Sequence, residues 1–244
     1  MDLNQRTCGM YRGIAVSGIG DSSLLEQLAT IVRCDADDVI YYREEQTHYW
    51  YRIVFGAARK CSLTMDGRRQ ILDFLLPGDV FGFGTRDTHP FSTEVITAGT
   101  TFARYPRRGA EELAERDLEV AHWLREKTFE SISRLQARTL ILGRTSALAR
   151  VSAFLLDWSE RCHEPVSEAI ILPMSRYDIA DYLAMAVETV SRALTVLRTR
   201  QVITFRSTRR LSICDRRALE IATEGGDARE LTRLNAADAA QLLA

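Results

Sequence analysis

Glu188, Ser191 and Arg192 stand at positions i, i+3 and i+4 of a run that reads as one helix, so their side chains lie side by side on its surface. Their chemistry suits base edges. An arginine makes two parallel hydrogen bonds to guanine O6 and N7, a carboxylate accepts from cytosine N4, and a serine contacts several edges. A carboxylate facing a polyanion repels phosphate, so Glu188 argues for base reading rather than general attraction. The competing explanation is an i,i+4 surface ion pair between Glu188 and Arg192. The two are compatible if Glu188 holds Arg192 toward its base.

Positioning these residues requires a helix with a buried back. Val187 to Arg198 supplies it, with Val190, Leu194 and Leu197 at helical spacing and Val187 beside the polar face at its start. Before it, Ser175-Arg-Tyr-Asp-Ile-Ala-Asp-Tyr-Leu reads as a first helix, with Ser175 as N-cap and Asp178 at the capping-box position. Ala184-Met185-Ala186 makes the turn of a helix-turn-helix, placing the second helix for the major groove. Val202 to Cys214 reads as a β-hairpin wing. Between Arg198 and Arg217 the chain carries seven arginines against Asp215 alone. Ser175, Thr189, Arg198, Arg200, Arg209 and Arg210 are therefore expected to meet the phosphate backbone.

Upstream, short strand-like runs lie between about Asp35 and Arg107, among them Val39–Tyr42, Tyr51–Phe55, Cys61–Met65, Gln70–Leu76, Thr93–Ile96 and Thr101–Tyr105. They suggest an antiparallel sandwich or barrel, with Met65-Asp66-Gly67-Arg68 as a type I′ hairpin turn. From Glu111 to about Leu142 a stretch without proline, rich in Ala, Leu, Glu and Arg, predicts one long helix. Its loosely heptad stripe, Leu124, Thr128, Ile132, Leu135 and Leu142, pairs with a twin in a parallel homodimer or packs on its own sheet. Gly143-Arg-Thr-Ser146 then provides a hinge and an N-cap for a helix whose Leu148, Val151, Leu155 and Trp158 share a face.

The fold class expected is α+β: an N-terminal antiparallel β-roll, jelly-roll-like, over residues 1–110, a dimerisation helix over 111–143, a winged helix-turn-helix over 144–224 and a tail over 225–244. With 244 residues, 46% hydrophobic and 27% charged, the chain is long enough for two modest domains. No run of eighteen apolar residues and no apolar signal core occurs, so a cytoplasmic location without membrane association is expected. The net charge of -1 is no obstacle to a polyanionic partner, because a local basic face suffices. Five cysteines, widely spaced, suggest neither a disulfide framework nor a zinc site, and read as mostly buried, reduced thiols. Cys8 and Cys61 are kept as candidate redox thiols.

Asp178-Ile-Ala-Asp-Tyr-Leu, Val187-Glu-Thr-Val-Ser-Arg192 and Pro77-Gly-Asp-Val-Phe-Gly-Phe83 resemble the CRP/FNR superfamily, especially its FNR and FixK branches, over nearly the whole chain. The resemblance implies a DNA-binding transcription regulator, an activator that contacts RNA polymerase and double-stranded DNA, with low-oxygen or related metabolic genes as targets. Glu-x-x-Ser-Arg implies a TTGAT-like half-site repeated as a palindrome. Three departures bear on the details. Ala184 stands where many members have glycine, a modest cost if its φ is negative. One N-terminal cysteine, with Cys34 and Cys61 far apart, does not supply four thiolates for an iron-sulfur cluster. Phe91-Ser92-Thr93 lacks the arginine of a cyclic-nucleotide phosphate clamp, so no cofactor or metal is expected.

Two other classes compete with this reading. Within the family, a haem- or thiol-based redox or gas sensor would draw on His48, His89 or His122, or on a thiol. Outside it, the chain would be a ligand-binding or protein-adaptor module without DNA specificity. No nucleophile-base motif, phosphate loop or metal-spaced cluster points to an enzyme. The small apolar residues from Asn235 to Ala244 read as a frayed helix end, with a protease-adaptor signal as the alternative.

Overall fold

The computed structural model describes residues 9–11, 24–84, 86–162 and 169–225. The chain divides into two compact units, Met1–Leu135 and Gln136–Ala244. The first unit opens with strand β1 (Gly9–Tyr11), helix α1 (Leu24–Gln27), β2 (Thr30–Cys34), β3 (Val39–Tyr41), β4 (Tyr49–Phe55), β5 (Ala58–Leu63), β6 (Arg69–Leu75), β7 (Val80–Phe81), β8 (Ser92–Val95) and β9 (Thr100–Pro106). These form a five-stranded sheet in the order β1-β2-β9-β4-β7 and a four-stranded sheet in the order β3-β8-β5-β6, all antiparallel. Val32, Tyr51, Ile53, Phe81 and Phe102 from one sheet meet Tyr41, Ala58, Leu75 and Val95 from the other in a shared core. This is the expected jelly-roll-like β-roll.

The five-stranded sheet is buried on both faces. Its alternate residues Ile31, Trp50, Ala103 and Tyr105 point away from the sandwich and pack on Leu25, Ala110 and Val120, with Trp123 and Leu124 partly buried beside them. Successive strand residues point to opposite faces, so this second layer needs apolar residues where a one-sided sheet would show polar ones. Strands β1, β2 and β7 fall outside the runs read from the sequence. The turn at Met65-Asp66-Gly67 also differs from the type I′ expected. Gly67 alone has a positive φ of 78°, Gly67 N–H donates to the Thr64 carbonyl at 2.9 Å, and Thr64 N–H donates to the Arg68 carbonyl at 2.9 Å. One glycine therefore carries the left-handed step, as in a three-residue hairpin with a bulge.

The long helix is two helices, α2 (Arg107–Arg116) and α3 (Leu118–Leu142), broken at Asp117. Asp117 has an extended backbone, and its Oδ1 accepts from Glu119 N–H at 2.9 Å, starting α3 afresh. An aspartate competing for free N–H groups is the local reason for the break. Helix α3 runs through the boundary between the two units.

In the second unit, α4 (Ala147–Arg161) is capped by Ser146, whose Oγ accepts from Ala149 N–H at 3.1 Å. It is followed by β10 (Ala169–Ile171), α5 (Arg176–Leu183), α6 (Val187–Thr199), β11 (Ile203–Ser207), β12 (Arg210–Ile213) and α7 (Arg216–Thr223). The sheet order β10-β12-β11 makes the wing three-stranded. Phe154, Leu155, Trp158, Leu183, Leu194, Leu197 and Leu219 are all buried, and Trp158 Nε1 donates to the Ile171 carbonyl at 2.8 Å, tying β10 to α4. The tail, residues 226–244, lies outside the described residues, as does Cys8.

Candidate nucleic-acid interface

Helix α5 starts at a complete capping box. Ser175 Oγ accepts from Asp178 N–H at 3.1 Å, and Asp178 Oδ2 accepts from Ser175 N–H at 2.9 Å and from Ser175 Oγ at 2.7 Å. Both donors of Ser175 are thus committed inside the cap. Ser175 is exposed, as are Arg176 and Tyr177, but its donors are engaged within the cap, which speaks against its donating to phosphate in this geometry. The turn closes on Ala184, whose φ of 52° and ψ of 51° are left-handed. The condition for a modest cost at Ala184 is not met, since a Cβ is strained at positive φ.

Helix α6 buries Val190, Ala193, Leu194 and Leu197 and turns Glu188 and Arg192 to solvent, with Val187, Thr189 and Ser191 half-buried beside them. Neither Glu188 nor Arg192 makes a hydrogen bond or ion pair with another described residue, so the surface-pair alternative is not formed. A carboxylate and a guanidinium one turn apart are left available to an outside partner. Arg198 at the end of α6 and Arg206, Arg209 and Arg210 on the wing are exposed. Arg200 departs from this set, being half-buried with Nη1 shielded from solvent and unpartnered. Sequence reasoning missed Arg176, which lies over the Phe205 ring at 5.9 Å and links α5 to the wing.

On α3, residues Phe129, Ile132, Leu135 and Leu140 are 61%, 43%, 45% and 70% exposed, an apolar stripe left uncovered. Leu124 does not belong to it. It is partly buried against the outer face of the five-stranded sheet, which at this position favours the alternative of packing on the chain's own sheet. Thr128 and Leu142 are half-buried, the Thr128 hydroxyl donating to the Leu124 carbonyl at 2.8 Å. Phe129 and Leu140 were not among the residues read as the stripe, whereas Ile132 and Leu135 were.

Three cysteine expectations change. Cys34 is disulfide-bonded, with a partner outside the described residues, so the thiols are not all reduced. Wide sequence spacing concealed this, because the pairing of β1 with β2 brings segments distant in sequence side by side. Cys61 is a poor redox thiol: burial first and then the Glu94 carboxylate push its pKa up to about 12, and its Sγ donates to Glu94 Oε1 at 3.3 Å. A thiol held protonated is a weak nucleophile. Cys214 is free and exposed.

The roll carries a half-open pocket of about 290 Å³ lined by Tyr41, Lys60, Gly82, Phe83, His89 and Phe91 among others. His89 stacks on Tyr41 at 3.7 Å between ring centroids, and burial followed by the Lys60 and Arg107 charges lowers its pKa to about 4. Elsewhere on the roll, Arg134 of α3 reaches Asp73 at 3.2 Å and Asp79 at 3.0 Å. Burial opposes the Arg134 charge, but the two carboxylates outweigh it and raise its pKa. Among the described residues no three His, Cys, Asp or Glu side chains gather as a metal site, and no helix is long and apolar enough to cross a membrane.

Residues 149–221 match the Crp-like helix-turn-helix domain family, and residues 31–117 match the cyclic nucleotide-binding domain family. The nitrogen fixation regulation protein FixK of Rhizobium meliloti is 39% identical over 180 residues, covering 74% of this chain and 81% of that one. The chain belongs to the CRP/FNR superfamily, as a FixK-type regulator. A FixK protein of Azorhizobium caulinodans is 36% identical over 221 residues, 88% of each chain. The structure of FixK2 from Bradyrhizobium japonicum superposes with a TM-score of 0.73 at 38% identity, covering 79% of this chain and 96% of that one. As a member of this family, the chain is a DNA-binding transcription regulator.

Proposed function

We propose that this FixK-type regulator binds a TTGAT-like palindrome as a homodimer and activates transcription of low-oxygen or related metabolic genes. The observation that carries the reading is the pair Glu188 and Arg192, exposed and unpartnered on the first turns of a helix whose other face is buried. A guanidinium and a carboxylate in that position match guanine and cytosine edges. The uncovered stripe of Phe129, Ile132, Leu135 and Leu140 gives a second copy a surface to cover. A two-fold dimer would place its recognition helices in successive major grooves, roughly 34 Å apart. Activation follows the names of relatives such as the transcriptional activatory protein AadR of Rhodopseudomonas palustris, and implies contact with RNA polymerase from a surface of the roll.

Competition mobility shift at moderate salt tests the reading. Labelled duplex carrying the palindrome should be retained against excess random duplex; equal competition by both would remove the site-specific reading. The disulfide at Cys34 favours a second version, thiol-based redox control of the same regulator. Palindrome affinity that is identical in dithiothreitol and in diamide would discard it.

A further inference from the structure

Asp73 on β6 is buried, and Asp79 follows the Pro77-Gly78 turn, where its Oδ2 accepts from Leu76 N–H at 2.8 Å. Both carboxylates belong to the roll. The guanidinium that bridges them, Nε to Asp73 and Nη1 to Asp79, comes from α3, and only 14% of the Arg134 side chain is exposed. Lys60 stands opposite Asp73 across the β5–β6 ladder, where burial lowers its pKa. Asp73 is buried and Asp79, Arg134 and Lys60 are partly buried around it. Removing one partner of such a cluster strands a charge.

The position of Arg134 in α3 gives the cluster a consequence beyond stability. Ile132 and Leu135 lie two residues before and one after it, and each residue turns a helix by about 100°. With Arg134 held inward by two fixed carboxylates, Ile132 and Leu135 face outward, at 43% and 45% exposure. A planar fork gripping two separate acceptors fixes rotation about the helix axis, which one point charge does not.

We propose that Arg134 is a positioning residue that sets the rotation of α3 on the roll, so that the dimer stripe is presented outward. The inference rests on the homodimer reading above.

Two variants test it in the full-length chain. Arg134→Lys keeps the charge but loses the fork; Asp73→Asn with Arg134→Gln removes one charge of each sign and keeps the balance. Dimer dissociation is read by sedimentation equilibrium, palindrome affinity by fluorescence anisotropy, and folding by thermal melting. Both variants are expected to melt as cooperative, folded proteins yet dimerise and bind the palindrome about tenfold or more weakly, because the helix loses its fixed rotation. If either variant folds and matches the wild type in dimerisation, Arg134 only balances charge and the inference falls. A wild type that dimerises but ignores the palindrome would sink the DNA-site reading alone, since the dimerisation comparison still stands. A monomeric wild type would sink both.

Discussion

At Arg192, specificity and affinity can be separated by measurement. A side chain that reads a base loses discrimination at one position when truncated, whereas one that meets phosphate loses affinity on all sequences alike. Arg192→Ala is expected to cost about 1–3 kcal/mol on the palindrome and to relax preference at a single base pair, read from binding to single-position variants of the site. Equal loss on random duplex would make Arg192 a phosphate contact. Ala184 makes a different kind of statement. Its φ of 52° strains a Cβ, so Ala184→Gly should raise stability by about 0.5–1 kcal/mol, seen as a higher melting temperature. An unchanged or lower value would mean that the turn already tolerates the left-handed alanine. His89 contributes a pH dependence whose sign is fixed by its burial. Its pKa falls from the ordinary 6.5 to about 4 on folding, so in between the unfolded chain binds more protons than the folded one. Stability should therefore fall as pH drops from about 6.5 toward 4. His89→Phe should flatten that part of the denaturation profile, and a slope unchanged by the substitution would assign it to other groups.

At the scale of elements, what was legible in the sequence followed local rules, and what was missed depended on neighbours. The capping box at Ser175 and Asp178, the N-cap at Ser146 and the buried spacing of Val190, Leu194 and Leu197 are written within a few residues, and the structure shows each. Strand β2 was missed because Ile31 and Val32 are both buried, one on each side of the sheet, which erases the alternation that marks a one-sided strand. The break at Asp117 was missed because helix propensity is high on both sides of it. Which face of α3 is covered depends on the sheet it packs against, and the stripe alone does not encode that. Leu124 turned out to cover the sheet, and Phe129 and Leu140 to be uncovered. Of the candidate interface, the positions on α6 were open to sequence reasoning, but the commitment of Ser175 to its own cap and the inward turn of Arg200 are matters of hydrogen bonding and burial. If the uncovered stripe is the dimer seam, Ile132→Asp should lower dimer affinity by at least about tenfold, since it sets like charges together in an apolar contact. Sedimentation equilibrium that shows an undiminished dimer would move the interface elsewhere.

For the molecule as a whole, the proposed reading requires base reading and phosphate attraction to be divided locally, because the net charge is only -1. Distant attraction to DNA cannot come from the total charge, so it must come from the local field of the wing and the end of α6, where Arg198, Arg206, Arg209 and Arg210 are exposed. Each phosphate neutralised releases condensed counterions, and the slope of log affinity against log salt changes by about 0.9 per contact. If the regulator binds as the proposed homodimer with Arg210 on phosphate, each contact is made twice, and Arg210→Ala should flatten that slope by about 2 rather than about 1. The same substitution should weaken palindromic and random duplex to similar extents, leaving their ratio nearly unchanged. Fluorescence anisotropy across a salt series measures both quantities at once. A slope change near 1 would indicate that one wing of the dimer touches the backbone; no change would remove Arg210 from the interface. A fall in the palindrome-to-random ratio would place Arg210 on a base and extend the reading surface from α6 onto the wing.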